Sequence, residues 1–189
     1  MGVSSDVVRW GGWSGVVGGV MFVLSTILSL LAPHYLFAIV FVVALTSTLV
    51  AIAGLHAVQS RRYGKLGAAG SLITFIGYAL IGVVTAVSTL VGGEALYTVR
   101  LIAAAAVLIG SILLGATTLR ARVLPWWCGV LLIVGFPLGD MVNNFASGSE
   151  AIVLAILWGL IGYALLSLRG TVAGQPSRAS RVSEKNPAC

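Results

Sequence analysis

The side chains that could bind a polar ligand are few, and they fall in two short stretches of the chain. Asp140 is followed closely by Asn143 and Asn144, and Glu94 follows two consecutive glycines. Carboxylates accept hydrogen bonds and amides both donate and accept them, so together they can fix the orientation of a small molecule. These four residues are therefore the candidates for a ligand-binding site. An ordinary solvated loop surface is the favoured interpretation, and the ligand-binding site is the alternative.

A second set of candidates lies on one helical stripe. Glycine, serine, threonine and tyrosine recur at three- and four-residue steps between residues 67 and 89, which places them on one face of a helix. Thr74, Tyr78 and Thr85 are the members that could line a polar pathway. Small residues let helices approach closely in lipid, and hydroxyls bond across the contact. Helix packing is the favoured interpretation, and the polar pathway is the alternative.

Signatures of enzymes, cofactors and metals are missing from the sequence. It contains neither a P-loop nor a dinucleotide-binding fingerprint, and no C-x-x-C pair. His34 and His56 fall at opposite ends of one predicted span, about 33 Å apart along a helix, so they cannot share a metal ion there. Acid/base chemistry would need Glu94, Asp140 or Glu150 beside His34. We predict no catalytic activity, no cofactor and no metal.

The composition is that of a membrane protein. Of the residues, 59% are hydrophobic and only 8% are charged, and the mean hydropathy is +1.07. Soluble domains carry roughly a quarter charged residues, so a soluble globular fold is excluded. The sequence pI of about 9.9 reflects basic residues placed between apolar spans, where they meet lipid headgroups. Nucleic acid is not an expected partner.

Six apolar stretches are long enough to be spans, since about 20 helical residues cross a bilayer. We predict an all-α, polytopic six-helix transmembrane bundle over residues 1–169, and a disordered basic cytoplasmic tail over residues 170–189. The fifth span contains Gly135, Pro137 and Gly139, which predict a broken helix, and five spans are the alternative if it does not cross. The predicted spans are residues 13–31, 35–57, 66–91, 99–119, 124–142 and 151–168.

Basic residues predict the orientation of the spans. With six spans and both termini in the cytoplasm, ten of the eleven Lys and Arg residues lie on the cytoplasmic side and only Arg100 lies outside. Three of the five acids, Glu94, Asp140 and Glu150, then lie outside. We expect a multi-pass protein of the cytoplasmic membrane. The ten cytoplasmic residues are Arg9, Arg61, Arg62, Lys65, Arg120, Arg122, Arg169, Arg178, Arg181 and Lys185.

A weak internal repeat connects two of the basic turns. Arg61 precedes Gly70 by the same interval at which Arg120 precedes Gly129, and the two pairs are 59 residues apart. Membrane transporters often contain such repeats. Two hairpins of ordinary length with basic turns would produce the same match without duplication.

Three short stretches resemble small multi-span bacterial membrane proteins of families without an assigned activity. These stretches are residues 9–12 (RWGG), residues 54–64 (GLHAVQSRRYG) and residues 124–132 (LPWWCGVLL). In size and span number the chain is also similar to the substrate-binding membrane subunits of energy-coupling-factor vitamin transporters. Those subunits contact a transmembrane partner through an A-x-x-x-A motif of the first span. Gly11, Gly15 and Gly19 have that spacing here, but as glycines.

These observations lead to two functional hypotheses. The first is a non-catalytic accessory or partner subunit in the membrane, associated with the lipid bilayer and with another membrane protein or further copies of itself. The second is a small-molecule or lipid-binding transport protein, with an outward-facing polar site near the fifth span.

Overall fold

The computed structural model describes residues 5–31, 34–60, 62, 64–91, 96–145 and 150–173. Six α-helices make up these ranges, which confirms the predicted all-α, six-helix architecture. The last helix continues to Ala173, and residues 174–189 of the predicted tail lie outside the described residues. The helices are α1 (Ser5–Leu31), α2 (His34–Gln59), α3 (Gly64–Val91), α4 (Tyr97–Ala121), α5 (Trp126–Phe145) and α6 (Glu150–Ala173).

Five of the helices, all except α5, are long and apolar enough to cross a membrane, which indicates a multi-pass membrane protein. The apolar part of α5 is shorter and covers Trp126–Gly139. The whole helix has 20 residues. It is therefore about 30 Å long, close to the thickness of the hydrocarbon core. By length alone α5 matches a span.

The prediction of a broken fifth span is wrong, because α5 stays helical through Pro137. A proline removes one backbone donor, but the neighbouring hydrogen bonds and the packed surroundings hold the helix together. Packing accounts for Gly135, where a methyl group would lie 3.1 Å from the side chain of Leu157 on α6. A methyl group on Gly139 would make an ordinary van der Waals contact with Glu150 at 3.7 Å.

The helices form a closed ring in chain order. Each packs against the next along the chain, and α6 returns to pack against α1. Because the connections are short, neighbouring helices run antiparallel, and alternate helix ends gather at each end of the bundle. One end, which we call the basic end, carries Arg9, Arg62, Lys65, Arg120 and Arg122. Arg100 and Glu150 lie at the opposite end.

Glycines of α1 allow its two neighbours to approach very closely. A methyl group on Gly11 would lie 2.6 Å from the Cα of Gly54 on α2. One on Gly15 would lie 2.9 Å from the Cα of Gly162 on α6, and one on Gly19 would lie 2.7 Å from a backbone oxygen of α6. No side chain larger than hydrogen fits at these distances, so α1 packs backbone to backbone on both sides.

The helix α4 is packed in the same way between α3 and α5. A methyl group on Gly110 would lie 2.9 Å from the Cα of Thr74 on α3. On the other side of α4, a methyl group on Gly115 would lie 2.6 Å from the backbone oxygen of Gly129 on α5. The two remaining interfaces, between α2 and α3 and between α5 and α6, are less extensive.

The hairpins α1–α2 and α3–α4 pack in the same register. Gly11 meets Gly54 across the first hairpin, and Gly70 meets Leu113 at the positions 59 residues later. The offset of 59 residues that relates the two basic turns therefore also relates the packing contacts of the two hairpins. A second set of contacts shows the same offset: Gly18 lies near Ala44 and Thr48, and Gly77 lies near Ala103 and Val107.

Large aromatic side chains fill the centre of the ring. The rings of Phe22 on α1 and Phe41 on α2 meet edge to face at 5.7 Å. Those of Tyr78 on α3 and Trp158 on α6 meet edge to face at 5.9 Å. The outer surface is apolar as well, and Leu30 and Leu90 are 77% and 85% exposed. Apolar surface on this scale suits contact with lipid or with another membrane protein.

Candidate functional site

The four residues predicted to form the outer polar site are only partly described. Asp140, Asn143 and Asn144 lie in the last turns of α5, and the placement of their side chains falls outside the described part of the chain. Glu94 lies outside the described residues altogether. The short chain distance between the end of α5 and the start of α6 brings this segment near Glu150. The predicted site therefore stays a prediction.

Thr74, the first member of the α3 stripe, is a packing residue. Its side chain is completely buried against Gly110 of α4. Its hydroxyl donates a hydrogen bond of 2.8 Å to the backbone oxygen of Gly70, one turn earlier in the same helix. A buried hydroxyl that bonds to its own helix is already satisfied and needs no ligand.

Tyr78 is buried at the centre of the bundle, where its ring contacts a second aromatic side chain. The indole nitrogen of Trp158 donates a hydrogen bond of 3.4 Å to the Tyr78 hydroxyl. This hydrogen bond joins α3 and α6 in the middle of the bundle.

Thr85 is half-buried and lies about 16 Å along α3 from Thr74. Its backbone oxygen accepts a hydrogen bond of 2.8 Å from the hydroxyl of Thr89. The three residues predicted to line a pathway thus have different surroundings. Of the three, Tyr78 makes a hydrogen bond to another helix. Elsewhere in the stripe, Gly70, Thr74 and Gly77 pack against α4.

Trp158 was not among the residues selected from the sequence. The sequence does contain a signal for it, namely its unusual position within a span. Tryptophan in membrane proteins is enriched at span ends, where its N–H meets the interface. Trp158 instead lies near the middle of α6, where an indole N–H needs a protein partner. A mid-span tryptophan therefore predicts a buried acceptor on another helix, and Tyr78 is that acceptor.

A second polar contact between helices lies near the basic end. The hydroxyl of Thr118 on α4 is 3.0 Å from Oε1 of Gln59 on α2 and 2.7 Å from the backbone oxygen of Leu114. Its single hydrogen can serve only one of these acceptors. The buried amide nitrogen of Gln59 makes no hydrogen bond within the described residues. With the amide turned over, one N–H of Gln59 would donate to Thr118 and the Thr118 hydroxyl would donate to Leu114 alone.

An open cleft of about 230 Å³ lies between α2 and α3, towards the basic end. The interface between these helices is among the less extensive ones of the ring, which leaves this space. Two of the lining residues, His56 and Ser71, are polar, and both make interactions within the protein. The cleft is lined by Ile52, Ala53, His56, Ala68, Ser71, Leu72 and Phe75.

Groups suited to metal binding or nucleophilic catalysis are not assembled in the described part of the chain. No group of three His, Cys, Asp or Glu side chains there could hold a metal ion. Cys128 is a free thiol, fully buried inside α5. The Ser14 hydroxyl donates to the backbone oxygen of Trp10 in its own helix at 2.7 Å. What the described geometry offers is apolar binding surface and two polar contacts between helices.

No protein-family model matches the chain, and no curated protein or solved structure is significantly similar to it.

Proposed function

We propose that this protein is a non-catalytic accessory or partner subunit of the cytoplasmic membrane, with six spans and both termini in the cytoplasm. It would act by contact with another membrane protein or with further copies of itself. The main support for this proposal is that polar residues of the α3 stripe contact other helices of the bundle instead of lining a pathway. Thr74 packs against α4, and Tyr78 contacts α6.

The orientation is supported by the distribution of charge. Arg62, Lys65, Arg120 and Arg122 are exposed at the basic end, while Arg100 is exposed at the opposite end. Positive loops are retained on the cytoplasmic side during insertion. The basic end would therefore face the cytoplasm.

The partner would meet a surface other than the glycines of α1. Gly11 is covered by α2, and Gly15 and Gly19 are covered by α6. A membrane partner that docked on these glycines, as in energy-coupling-factor transporters, would have to displace a helix of the same chain. The exposed apolar faces of α3 and α4 are open instead, with Leu72, Ile102 and Ile109 all more than half exposed.

Native mass spectrometry of the tagged protein, released from membranes without denaturation, tests the proposal. We expect a second polypeptide, or a further copy of the chain, at fixed stoichiometry. The complex should persist in Asp140→Asn, because this change keeps the size of the side chain and removes only its charge. A chain that is always monomeric and carries a small molecule would contradict the proposal.

The second candidate is a small-molecule transport protein, and one observation favours it. The polar groups of Tyr78 and Trp158 lie in the middle of the bundle, at the depth that a transported molecule would have to pass. On this hypothesis a small molecule co-purifies with the wild-type protein and is lost from Asp140→Ala and Asn144→Ala. Retention of the molecule in both variants would remove the predicted outer site.

A further inference from the structure

We infer that the cleft between α2 and α3 binds an anionic phospholipid, with an acyl chain in the cleft and the headgroup at the basic turn. This inference is independent of whether the chain has a protein partner. It rests on the shape of the cleft, its apolar lining and the charge at its mouth.

The small size of the cleft and its position on the outer surface suit a lipid chain rather than a drug-sized ligand. Its volume of about 230 Å³ lies below the roughly 300–1,000 Å³ of typical small-molecule sites. Ile52 is buried and forms its floor, whereas Leu72 and Phe75 are 60% and 39% exposed at its rim. The cleft is therefore open along the outer surface of the bundle, where lipid chains lie.

The lining of the cleft is apolar along most of its length. Ala53 on α2 and Ala68 and Leu72 on α3 are among the lining residues, and their side chains are small or aliphatic. His56 lies at the end nearest the basic turn, less than one turn before the end of α2. The cleft is thus apolar along its length and polar at the end near the basic turn, which is the order of acyl chain and headgroup in a phospholipid.

Positive charge is concentrated where the headgroup would lie. Arg62 is exposed in the turn between the helices, and Lys65 is exposed in the first turn of α3. Lys65 stands one helical turn before Ala68, on the same face of α3. The first amides of α3 also have no partner inside the helix and attract anions.

Two of the last carbonyls of α2 are already hydrogen-bonded in the turn, which reduces the negative partial charge that this helix end presents to an anion. The carbonyl of His56 accepts a hydrogen bond of 2.8 Å from the backbone N–H of Ser60, and that of Gln59 accepts one of 2.8 Å from Arg62. These bonds satisfy acceptors that would otherwise face an anion. Basic pockets between helices on the cytoplasmic side are the usual sites of anionic headgroups.

Lipid retention measured by native mass spectrometry tests the inference. The purified protein is placed in nanodiscs with equal amounts of phosphatidylglycerol and phosphatidylcholine, and the lipids that stay bound on release are counted. We expect phosphatidylglycerol to be retained preferentially. Arg62→Gln and Lys65→Gln should each lower this preference about fivefold, because one cation near a lipid surface has an effect of this size.

Filling the cleft tests the acyl chain separately. Ala53→Leu and Ala68→Leu place side chains in the groove and should abolish retention of both lipids. Both positions are exposed, so the larger side chains leave the core intact. The control is Ala116→Leu, at an exposed alanine of α4 near the same end of the bundle, which should change nothing.

Two results would overturn the inference. If Arg120→Gln, at an exposed cation on another helix of the basic end, lowers the preference as much as Arg62→Gln does, the effect is general electrostatics. If Ala53→Leu and Ala68→Leu leave lipid retention unchanged, no chain occupies the cleft. Inorganic phosphate should fail to displace the lipid, and displacement by phosphate would show a headgroup site without the chain.

Discussion

Trp158 and Tyr78 are joined by a hydrogen bond across the centre of the bundle, from the middle of α6 to the middle of α3. Both side chains are at most 2% exposed. The bond links helices that are not neighbours in the ring, so it ties opposite sides of the bundle together. Its N···O distance of 3.4 Å is long, which places it among the weaker bonds of this kind.

Removing one partner of this pair should destabilise the protein. Tyr78→Phe leaves the indole N–H of Trp158 buried without an acceptor, and we expect a loss of about 1 kcal/mol in the free energy of unfolding. Reversible unfolding in mixed detergent micelles measures the change. Tyr163→Phe is the matched control, because Tyr163 is 66% exposed on α6 and its hydroxyl is not in the core.

The double variant Tyr78→Phe/Trp158→Phe separates the hydrogen bond from the loss of packing. If the bond matters, the effects of the two single changes do not add, and the coupling is about 0.5 kcal/mol or more. Strictly additive effects would show that the aromatic rings contribute through packing alone.

Two glycine-to-alanine substitutions should change stability in opposite directions. Gly11→Ala places a methyl group 2.6 Å from the Cα of Gly54, so α1 and α2 must separate, and we expect a loss of about 1–3 kcal/mol. A methyl group on Gly159 meets no atom within 4 Å. Gly159→Ala should therefore stabilise α6 by about 0.5–1 kcal/mol.

The same unfolding measurement compares the two variants. The contrast isolates the close contact, because both changes add one methyl group to a helical glycine. Equal effects at the two positions would mean that α1 and α2 are not packed backbone to backbone.

Removing one partner of the Gln59–Thr118 contact should destabilise the protein more than replacing both partners with apolar side chains. Thr118→Val keeps the shape but leaves the buried Gln59 amide without a partner, at a cost of about 1–3 kcal/mol. Gln59→Met combined with Thr118→Val replaces both polar groups, and most of the loss should be recovered. Both proteins are unfolded under the same conditions.

A matched control for this prediction is the neighbouring Thr117. Its hydroxyl donates only to backbone oxygens of its own helix, at 2.8 and 2.9 Å. Thr117→Val should therefore have a smaller effect than Thr118→Val. A double variant that is less stable than either single variant would argue against a simple pair.

Cysteine labelling tests the proposed orientation. In intact cells an impermeant maleimide should label Arg100→Cys but not Arg120→Cys, because the two exposed residues lie at opposite ends of α4. Cys189 should also be protected from outside. Cys128 is fully buried and should stay unlabelled in either case. Labelling of Arg120→Cys or Cys189 in intact cells would reverse the orientation.

Much of the fold follows from the sequence because its signals are local. Most helix bounds lie within a few residues of the predicted spans, although α1 begins eight residues earlier and α5 begins two residues later. The positions of the described Lys and Arg residues follow from helix alternation. The prediction of a broken fifth span relied on the local effect of Pro137, which removes one backbone donor. It failed because the sequence does not show that the packed neighbours of α5 keep the helix continuous.

Only the tertiary structure decided which surfaces meet. The sequence revealed the glycines of α1 but could not show that Gly11 faces α2 while Gly15 and Gly19 face α6. It likewise could not pair Tyr78 with Trp158, or Gln59 with Thr118. In lipid the outward and inward faces of a helix are equally apolar, so hydrophobicity does not fix the rotation of each helix about its axis. Close packing of particular side chains fixes that rotation, and it depends on all six helices together.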